Sequence, residues 1–133
     1  MTFVNLLNDS IIRIKNSQTN KQSKVSLLKS KLSINILEVL RNEGYLRGFK
    51  IQDKTIEVNL KYYKDKPAIQ NIKYHSRLNN KTNMSYKQLT YMYKDKTINS
   101  GLSTMILSTP FGILTDFECI NRKIGGKLIL TIL

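Results

Sequence analysis

The sequence predicts an α+β protein built from two small lobes. Apolar residues recur at helical spacing over residues 3–14 and again over residues 32–40, which indicates two amphipathic helices. Polar and apolar residues alternate over residues 55–62, which indicates a half-buried strand. We therefore expect an N-terminal lobe, residues 1–75, of two helices on a short antiparallel sheet. The C-terminal lobe, residues 76–133, is expected to be mostly β with one short helix.

The first helix should end in a polar segment. Asp9 and Arg13 lie four residues apart and can form an ion pair on its exposed face. Residues 16–24 are wholly polar and predict an exposed loop. This loop carries Lys21 and Lys24, and it is either a solvated connector or a segment that follows a phosphate backbone.

The second helix and the sheet carry clearer local signals. Ser30 can cap the helix at its start, and Gly44 supplies the left-handed residue that ends it. In residues 55–62 the even positions are expected to point inward, and a flanking strand is expected near residues 49–51. Residues 68–74 are predicted to return as an antiparallel partner in the same lobe.

In the C-terminal lobe a strand should lead into a turn at residues 108–112. Thr115 and Glu118 form a capping box, in which the Thr115 hydroxyl accepts from the Glu118 amide and the carboxylate returns to the Thr115 amide. This box predicts a short helix. The pair Gly125 and Gly126 then predicts a tight turn into a final, buried strand.

The charge of the chain indicates a polyanionic partner. Lys and Arg number 22 against 9 Asp and Glu, so the formal net charge is +13. Residues 1–75 carry 14 basic and 6 acidic residues (+8), and residues 76–133 carry 8 and 3 (+5). Nucleic acid is favoured over acidic protein or lipid headgroups, and both halves are expected to touch it.

Several classes of function are excluded by what the chain lacks. Cys119 and His75 are each the only residue of their type, so we expect no disulfide, no metal and no histidine-dependent catalysis. The capping box accounts for Glu118 and places Asp116 in a favourable first turn, so this pair of acids does not indicate an enzyme. No glycine pattern for a nucleotide, no cofactor and no small-molecule substrate are indicated. No apolar run approaches the roughly 20 residues of a membrane span, and the N-terminus does not resemble a cleaved targeting helix.

The order of these features resembles small-subunit ribosomal protein eight, a universal family of primary rRNA binders, over nearly the whole chain. Residues 9–16 resemble the family's first-helix motif, residues 30–46 its second helix and exit, and Leu60–Tyr62 with Ser76 and Arg77 further matching positions. The most specific match is Gly101-Leu102, Ile106 to Thr109, Gly112 to Asp116, Glu118 and Gly125-Gly126. The resemblance implies that this segment inserts into the minor-groove side of an irregular rRNA helix in the central domain.

The resemblance carries over direct contacts to Ser108, Thr109 and Gly112, and short hydroxyl side chains suit the 2′-hydroxyls of such a helix. Pro110 stands where the family commonly has a serine and Phe111 where it has a basic residue, so Phe111 is either stacked on an unpaired base or buried. The loop between Leu89 and Gly101 is longer than the compact bacterial pattern. The residues that we expect to contact RNA are Ser108, Thr109, Pro110, Phe111, Gly112, Thr115, Glu118, Arg13, Lys15, Lys21, Lys24, Lys31, Ser76, Arg77, Gly125 and Gly126.

The function implied is that of a structural constituent of the small ribosomal subunit, with small-subunit rRNA and neighbouring subunit proteins as partners. The alternative is a free cationic RNA chaperone or an mRNA-binding translational regulator. Lys, Asn, Ile and Tyr are abundant, and their codons are rich in A and T. With the departures at positions 110 and 111, this composition favours a mitochondrial ribosome and an organelle-encoded protein, ahead of a plastid or a low-GC bacterium.

Overall fold

The computed structural model describes residues 3–74, 83–94 and 104–132. The chain divides into two compact units, Met1–Gln70 and Asn71–Leu133. The predicted α+β class is confirmed. The lobe boundary predicted after residue 75 falls outside the described residues and stays a prediction.

The described residues of the first unit, 3–70, form two helices and five strands. The three longer strands form an antiparallel sheet in the order β1-β3-β2, and β4 and β5 form a separate small hairpin. The elements are α1 (Phe3–Thr19), β1 (Lys24–Leu28), α2 (Lys31–Asn42), β2 (Leu46–Ile51), β3 (Thr55–Leu60), β4 (Tyr62–Tyr63) and β5 (Lys66–Pro67).

The predicted signals for α2 and β3 are confirmed. Ser30 is the N-cap of α2, and its hydroxyl accepts a hydrogen bond from the Ser33 amide at 3.1 Å. Gly44 lies beyond the end of the helix with a φ of 86°, a value that favours glycine. The even positions Ile56 and Val58 of β3 are fully buried. The sheet therefore presents one apolar face to the core of this unit, as the alternation indicates.

The predicted loop over residues 16–24 is wrong in its extent. Helix α1 continues to Thr19, whose hydroxyl donates to the Lys15 carbonyl at 3.0 Å, and β1 begins at Lys24. Polar side chains are compatible with the exposed end of a helix, so polarity alone did not mark its end. Strand β1 was missed because its five residues gain their stability from antiparallel pairing with β3, which lies far along the chain.

The described part of the second unit is a β-sheet with two short helices. Its strands have the order β6-β10-β8-β9, and β7 also pairs with β10. The elements are β6 (Ile72–Tyr74), β7 (Asn83–Met84), α3 (Tyr86–Lys94), β8 (Thr104–Thr109), β9 (Gly112–Thr115), α4 (Asp116–Arg122) and β10 (Gly126–Ile132).

Two predictions about this region are wrong. Residues 72–74 do not return to the N-terminal sheet, because β6 pairs with β10 in the second unit. The expected single helix is joined by α3, which includes Tyr91 of the predicted long loop. A local signal for α3 was present in Ser85 and Gln88. The Ser85 hydroxyl accepts from the Gln88 amide at 3.2 Å, and the Gln88 side chain accepts from the Ser85 amide at 2.9 Å, which is a reciprocal capping box.

The two helices of this unit cover part of its sheet. Their buried side chains join those of β8 and β9 in one apolar cluster of Leu89, Met105, Leu107, Leu114 and Cys119. None of the helices in the described ranges combines the length and the apolar character that crossing a membrane would require.

Candidate nucleic-acid interface

The turn between β8 and β9 presents three of the predicted contact residues, Pro110, Phe111 and Gly112, to solvent. Thr109 pairs with Gly112 at the end of this β8–β9 hairpin, and Pro110 and Phe111 form its tip. Pro110 is exposed, and Phe111 is 66% exposed. Gly112 has a φ of 113°, a backbone angle that residues with a side chain rarely adopt. Of the two alternatives for Phe111, burial is therefore wrong, and stacking on a base stays a prediction.

The Thr109 hydroxyl fixes the shape of this tip. It donates to the Gly112 carbonyl at 2.8 Å and accepts from the Phe111 amide at 3.1 Å. Because its proton is used within the turn, this hydroxyl offers an RNA ligand only its remaining acceptor capacity. Ser108 is half-buried one residue earlier. The structure thus gives Thr109 a clear role in organising the hairpin, and its direct contact with RNA stays a prediction.

The glycine pair packs against other backbone segments and does not itself make the predicted tight turn. A Cβ atom on Gly126 would lie 2.8 Å from the Ser108 carbonyl oxygen and 2.8 Å from the Thr109 methyl carbon. A Cβ atom on Gly125 would lie 2.9 Å from the Cα atom of Ser85 and closer still to a neighbouring carbonyl. All of these contacts are shorter than real Cβ atoms show, so neither glycine can be replaced without a shift of its neighbours. The chain reverses instead at Lys123, which has a left-handed φ of 58° after α4.

Thr115 and Glu118 are engaged with each other at the start of α4. Thr115 is 1% exposed and accepts from the Glu118 amide at 3.3 Å, as predicted. The Thr115 hydroxyl also donates to a carboxylate oxygen of Glu118 at 3.5 Å, so the Glu118 side chain contacts the hydroxyl of Thr115. This geometry gives both residues a structural role behind the hairpin, and their contact with RNA stays a prediction.

Cys119 is unsuited to nucleophilic chemistry. Burial, with the nearby charges of Asp116 and Glu118, raises the pKa of its thiol to about 11, against a smaller opposing effect of Arg122. The thiol is therefore protonated at neutral pH and closed to solvent. Among the described residues, no three His, Cys, Asp or Glu side chains are grouped in a way that could hold a metal ion.

In the first unit, two of the predicted basic residues make contacts within the protein. Arg13 forms the predicted ion pair with Asp9 at 3.1 Å and also donates to the Ser26 carbonyl at 3.2 Å, so it ties α1 to β1. Lys24 forms an ion pair with Glu57 across β1 and β3 at 3.1 Å. Both pairs are partly exposed. These cations are positioned by the fold, and part of their charge is offset.

The other predicted cations of this unit are exposed. Lys15 lies on α1, Lys21 follows it with a left-handed φ of 55°, and Lys31 begins α2 directly after the Ser30 cap. Ser76 and Arg77 lie outside the described residues, as does His75. The structure therefore brings Ser108, Thr109 and Gly112 together with Gly126 in the second unit and places five predicted cations in the first.

Sequence reasoning did not select a second hairpin with an exposed aromatic residue. Tyr63 on β4 is 71% exposed, and the Lys64 ammonium lies 5.4 Å from the centre of its ring. The signal was the alternation along β4, where Tyr62 is half-buried and the next residue must face the other way. Two exposed aromatic residues, one in each unit, therefore lie on or beside tight turns of this cationic chain.

A strongly cationic α+β protein with exposed hairpins has the features of a nucleic-acid-binding protein. A family model described as Ribosomal protein S8 matches residues 5–133. The small ribosomal subunit protein uS8 of Rhodopseudomonas palustris is 37% identical over 131 residues, and that of Nitrobacter winogradskyi is 36% identical over the same length. Each comparison covers 95% of both chains.

The chain belongs to the ribosomal protein S8 family. It is a structural, rRNA-binding constituent of the small ribosomal subunit and not an enzyme. The relatives named above are bacterial proteins.

Proposed function

We propose that this S8-family protein is a primary binder of central-domain rRNA and that it supports assembly of the small subunit through the β8–β9 hairpin. The observation that carries the proposal is the way in which this hairpin is held. Thr109 closes its tip from within, and Gly126 lets β10 approach the residues directly beside that tip, Ser108 and Thr109. A tip fixed on both sides can enter an irregular groove without first losing conformational entropy.

The chemistry of the tip suits selection of a site. Residues 108–112 carry no charge, so this segment adds little to the salt-sensitive, sequence-independent attraction to phosphate. Its hydroxyls and backbone groups can meet 2′-hydroxyls and base edges, and the exposed ring of Phe111 can stack on an unpaired base. We assign site selection to this hairpin for those reasons.

The basic residues of the first unit supply general affinity in this proposal. Lys15, Lys21 and Lys31 are exposed on α1, on the turn after it and on α2. Exposed lysines attract phosphate by releasing counterions and do not distinguish sequences. Arg13 and Lys24 are expected to contribute less, because Asp9 and Glu57 lie beside them.

The test compares specific with competitor binding for a double variant, S108A with T109A. We expect its affinity for a central-domain rRNA fragment to fall at least tenfold more than its affinity for unrelated RNA of equal length. Equal losses for the two RNAs would contradict the assignment of site selection to the hairpin. Lys31→Gln is the matched control, because it should weaken binding to both RNAs alike.

We further propose that the ribosome concerned is mitochondrial. The abundance of residues with A/T-rich codons and the departures at Pro110 and Phe111 support this location. Sedimentation of lysate fractions from the source cells tests it, with the protein followed by mass spectrometry. The protein should sediment with small subunits from the mitochondrial fraction. Recovery in the cytoplasmic ribosome peak would contradict the location, and recovery mainly off ribosomes would favour the free RNA chaperone or mRNA-binding regulator.

A further inference from the structure

We propose that the hairpin of β4 and β5 is a second RNA-binding site, at which an unpaired base stacks on Tyr63 while Lys64 and Lys66 bind the flanking phosphates. The inference rests on the proposed function, since it takes the polyanion to be RNA. It concerns the first unit, and Tyr63, Lys64 and Lys66 are not among the positions that carry the family resemblance.

The two tyrosines of β4 have different roles. The Tyr62 hydroxyl donates to the Gln22 carbonyl at 2.5 Å, and this half-buried side chain anchors the hairpin to the turn after α1. A backbone hydrogen bond closes the hairpin at the same end, where the Ala68 amide donates to the Lys61 carbonyl at 2.9 Å. Tyr63 points away from this anchored side and keeps 71% of its surface exposed. The anchored hairpin thus presents the ring of Tyr63 to solvent.

Cations surround this ring. The Lys64 ammonium lies 5.4 Å from the ring centre, and Lys66 is the direct cross-strand partner of Tyr63. Residues 61–66 contain three lysines and one acid, Asp65, so the local charge is +2. The hydrogen bond from Tyr62 to Gln22 also brings the turn that carries the exposed Lys21 to the base of the hairpin. Positive charge and an aromatic face therefore occur together, which is the combination that single-stranded RNA requires.

The backbone conformation at the tip of this hairpin positions Lys64 beside the ring of Tyr63. Lys64 and Asp65 both adopt left-handed φ values, 51° and 66°. Two-residue hairpin turns of this kind favour Asn and Gly, and the conformation is unfavourable for a lysine. Glycine would meet the backbone requirement more easily but would supply no ammonium group. A lysine in this strained position brings a cation to the aromatic ring of the preceding residue.

A nucleotide fits this arrangement better than an acidic peptide does. A base offers a flat π-face for Tyr63, and its phosphates offer the charge for the lysines beside it. A carboxylate-rich peptide would use the lysines and leave the exposed ring without a partner. The Lys64 ammonium can remain near the ring or move to a phosphate, because its side chain is long and flexible.

A tryptophan reporter tests the stacking directly. The chain contains no tryptophan, so Tyr63→Trp introduces a single tryptophan, whose emission can be excited selectively over that of the tyrosines. Tyr91→Trp is the matched control, since Tyr91 is 69% exposed on the other unit. Small-subunit rRNA should quench the emission at position 63 saturably and leave that at position 91 nearly unchanged. Inorganic polyphosphate, which has charge but no bases, should quench neither.

Three results would overturn the inference. They are an unchanged emission at position 63 when rRNA is bound, equal quenching at the two positions, and equal quenching at position 63 by polyphosphate or polyglutamate. Binding of wild-type protein to the same rRNA is measured in parallel on filters. Failure of the wild type to bind would remove the proposed function itself, whereas intact binding with a silent reporter would remove only the second site.

The affinity for small-subunit rRNA provides an independent test of stacking on Tyr63. Tyr63→Ala should raise the Kd for small-subunit rRNA about tenfold, because a stacked base is lost. Tyr63→Phe keeps the ring and should stay within about twofold of the wild type. Thermal unfolding of both variants checks the fold. Equal effects of the two substitutions would contradict stacking as the source of the affinity.

Discussion

The two exposed hairpins of this protein each carry an exposed aromatic residue, but the charges around the two rings differ. Phe111 and Tyr63 are exposed to 66% and 71%. The first lies on an uncharged tip closed by Thr109, whereas the second has the Lys64 ammonium 5.4 Å from its ring. Exposure of an aromatic residue alone therefore does not define a role. We accordingly propose shape-dependent selection for the β8–β9 hairpin and salt-dependent stacking for the hairpin of β4 and β5.

The hairpins also differ in how they are supported. The β8–β9 hairpin is backed by β10, which approaches it closely only because residue 126 is glycine. The hairpin of β4 and β5 is tied down by one tyrosine hydroxyl and a backbone hydrogen bond at its base. Close backbone packing tolerates no added atom, whereas a hydrogen-bonded anchor can shift. The first hairpin should accordingly be the more sensitive to small steric changes.

The largest effect is expected from Gly126→Ala. Its Cβ atom would lie 2.8 Å from two atoms beside the tip of the β8–β9 hairpin, the Ser108 carbonyl oxygen and the Thr109 methyl carbon, and overpacking of this kind costs about 1–3 kcal/mol. Urea unfolding should show that loss, and selective rRNA binding should fall with it. Gly48→Ala is the control, because nothing lies within 4 Å of its Cβ position. Equal stability of the two variants would show that the close approach has no consequence.

Thr109→Val should come next. The substitution keeps the shape of the side chain and removes two hydrogen bonds of the tip, so we expect a loss of about 1–2 kcal/mol in the free energy of unfolding. It should also reduce discrimination between central-domain and unrelated RNA. Ser30→Ala removes the cap of α2 and should cost about 1 kcal/mol while leaving discrimination nearly unchanged. Equal effects of Thr109→Val and Ser30→Ala on discrimination would contradict the role given to the Thr109 hydroxyl.

A smaller and purely electrostatic effect is expected at the other hairpin. Replacing Lys64 and Lys66 together by Gln should make the negative slope of log affinity against log salt shallower by about 1 to 2, since each phosphate contact contributes about 0.7–0.9 to its magnitude. Filter binding at four salt concentrations measures the slope. The double variant of Ser108 and Thr109 should leave the slope unchanged. A slope that responds to the hydroxyl residues and not to the lysines would reverse the assigned roles.

The smallest effect is expected from Lys24→Gln. Its ion pair with Glu57 is partly exposed, and such pairs contribute about 0–1 kcal/mol to stability. Glu57→Gln removes the same pair and should release Lys24 for RNA, so it should strengthen general binding slightly while Lys24→Gln weakens it. Thermal unfolding and low-salt binding measure the two quantities. Identical changes in binding for both variants would exclude a role for Lys24 at the RNA surface.

The elements that could be predicted from the sequence are those with local signals. Ser30 and Gly44 mark the two ends of α2 through contacts within a few residues. The alternation in β3 needs only a period of two. Ser85 and Gln88 carried an equally local signal for α3, so that helix was recognisable from its capping pattern.

The features that were missed depend on distant partners. β1 exists because it pairs with β3, and residues 72–74 join the second sheet because β10 arrives almost 60 residues later. The need for glycine at position 126 comes from the backbone of Ser108 and Thr109 and is invisible in its own neighbourhood. For the candidate site, the sequence identified the hydroxyl-glycine tip. It could not show that the Thr109 hydroxyl is used inside the turn or that Thr115 is buried.

Footprinting of small-subunit rRNA at several salt concentrations, with excess unrelated RNA present, tests most directly the claim that the β8–β9 hairpin selects the binding site. The wild-type protein should protect one irregular central-domain helix, and that protection should persist as salt rises. The variant with S108A and T109A should lose it while retaining diffuse, salt-sensitive protection. Protection that is diffuse for the wild type, or the same helix protected by both proteins, would contradict the claim.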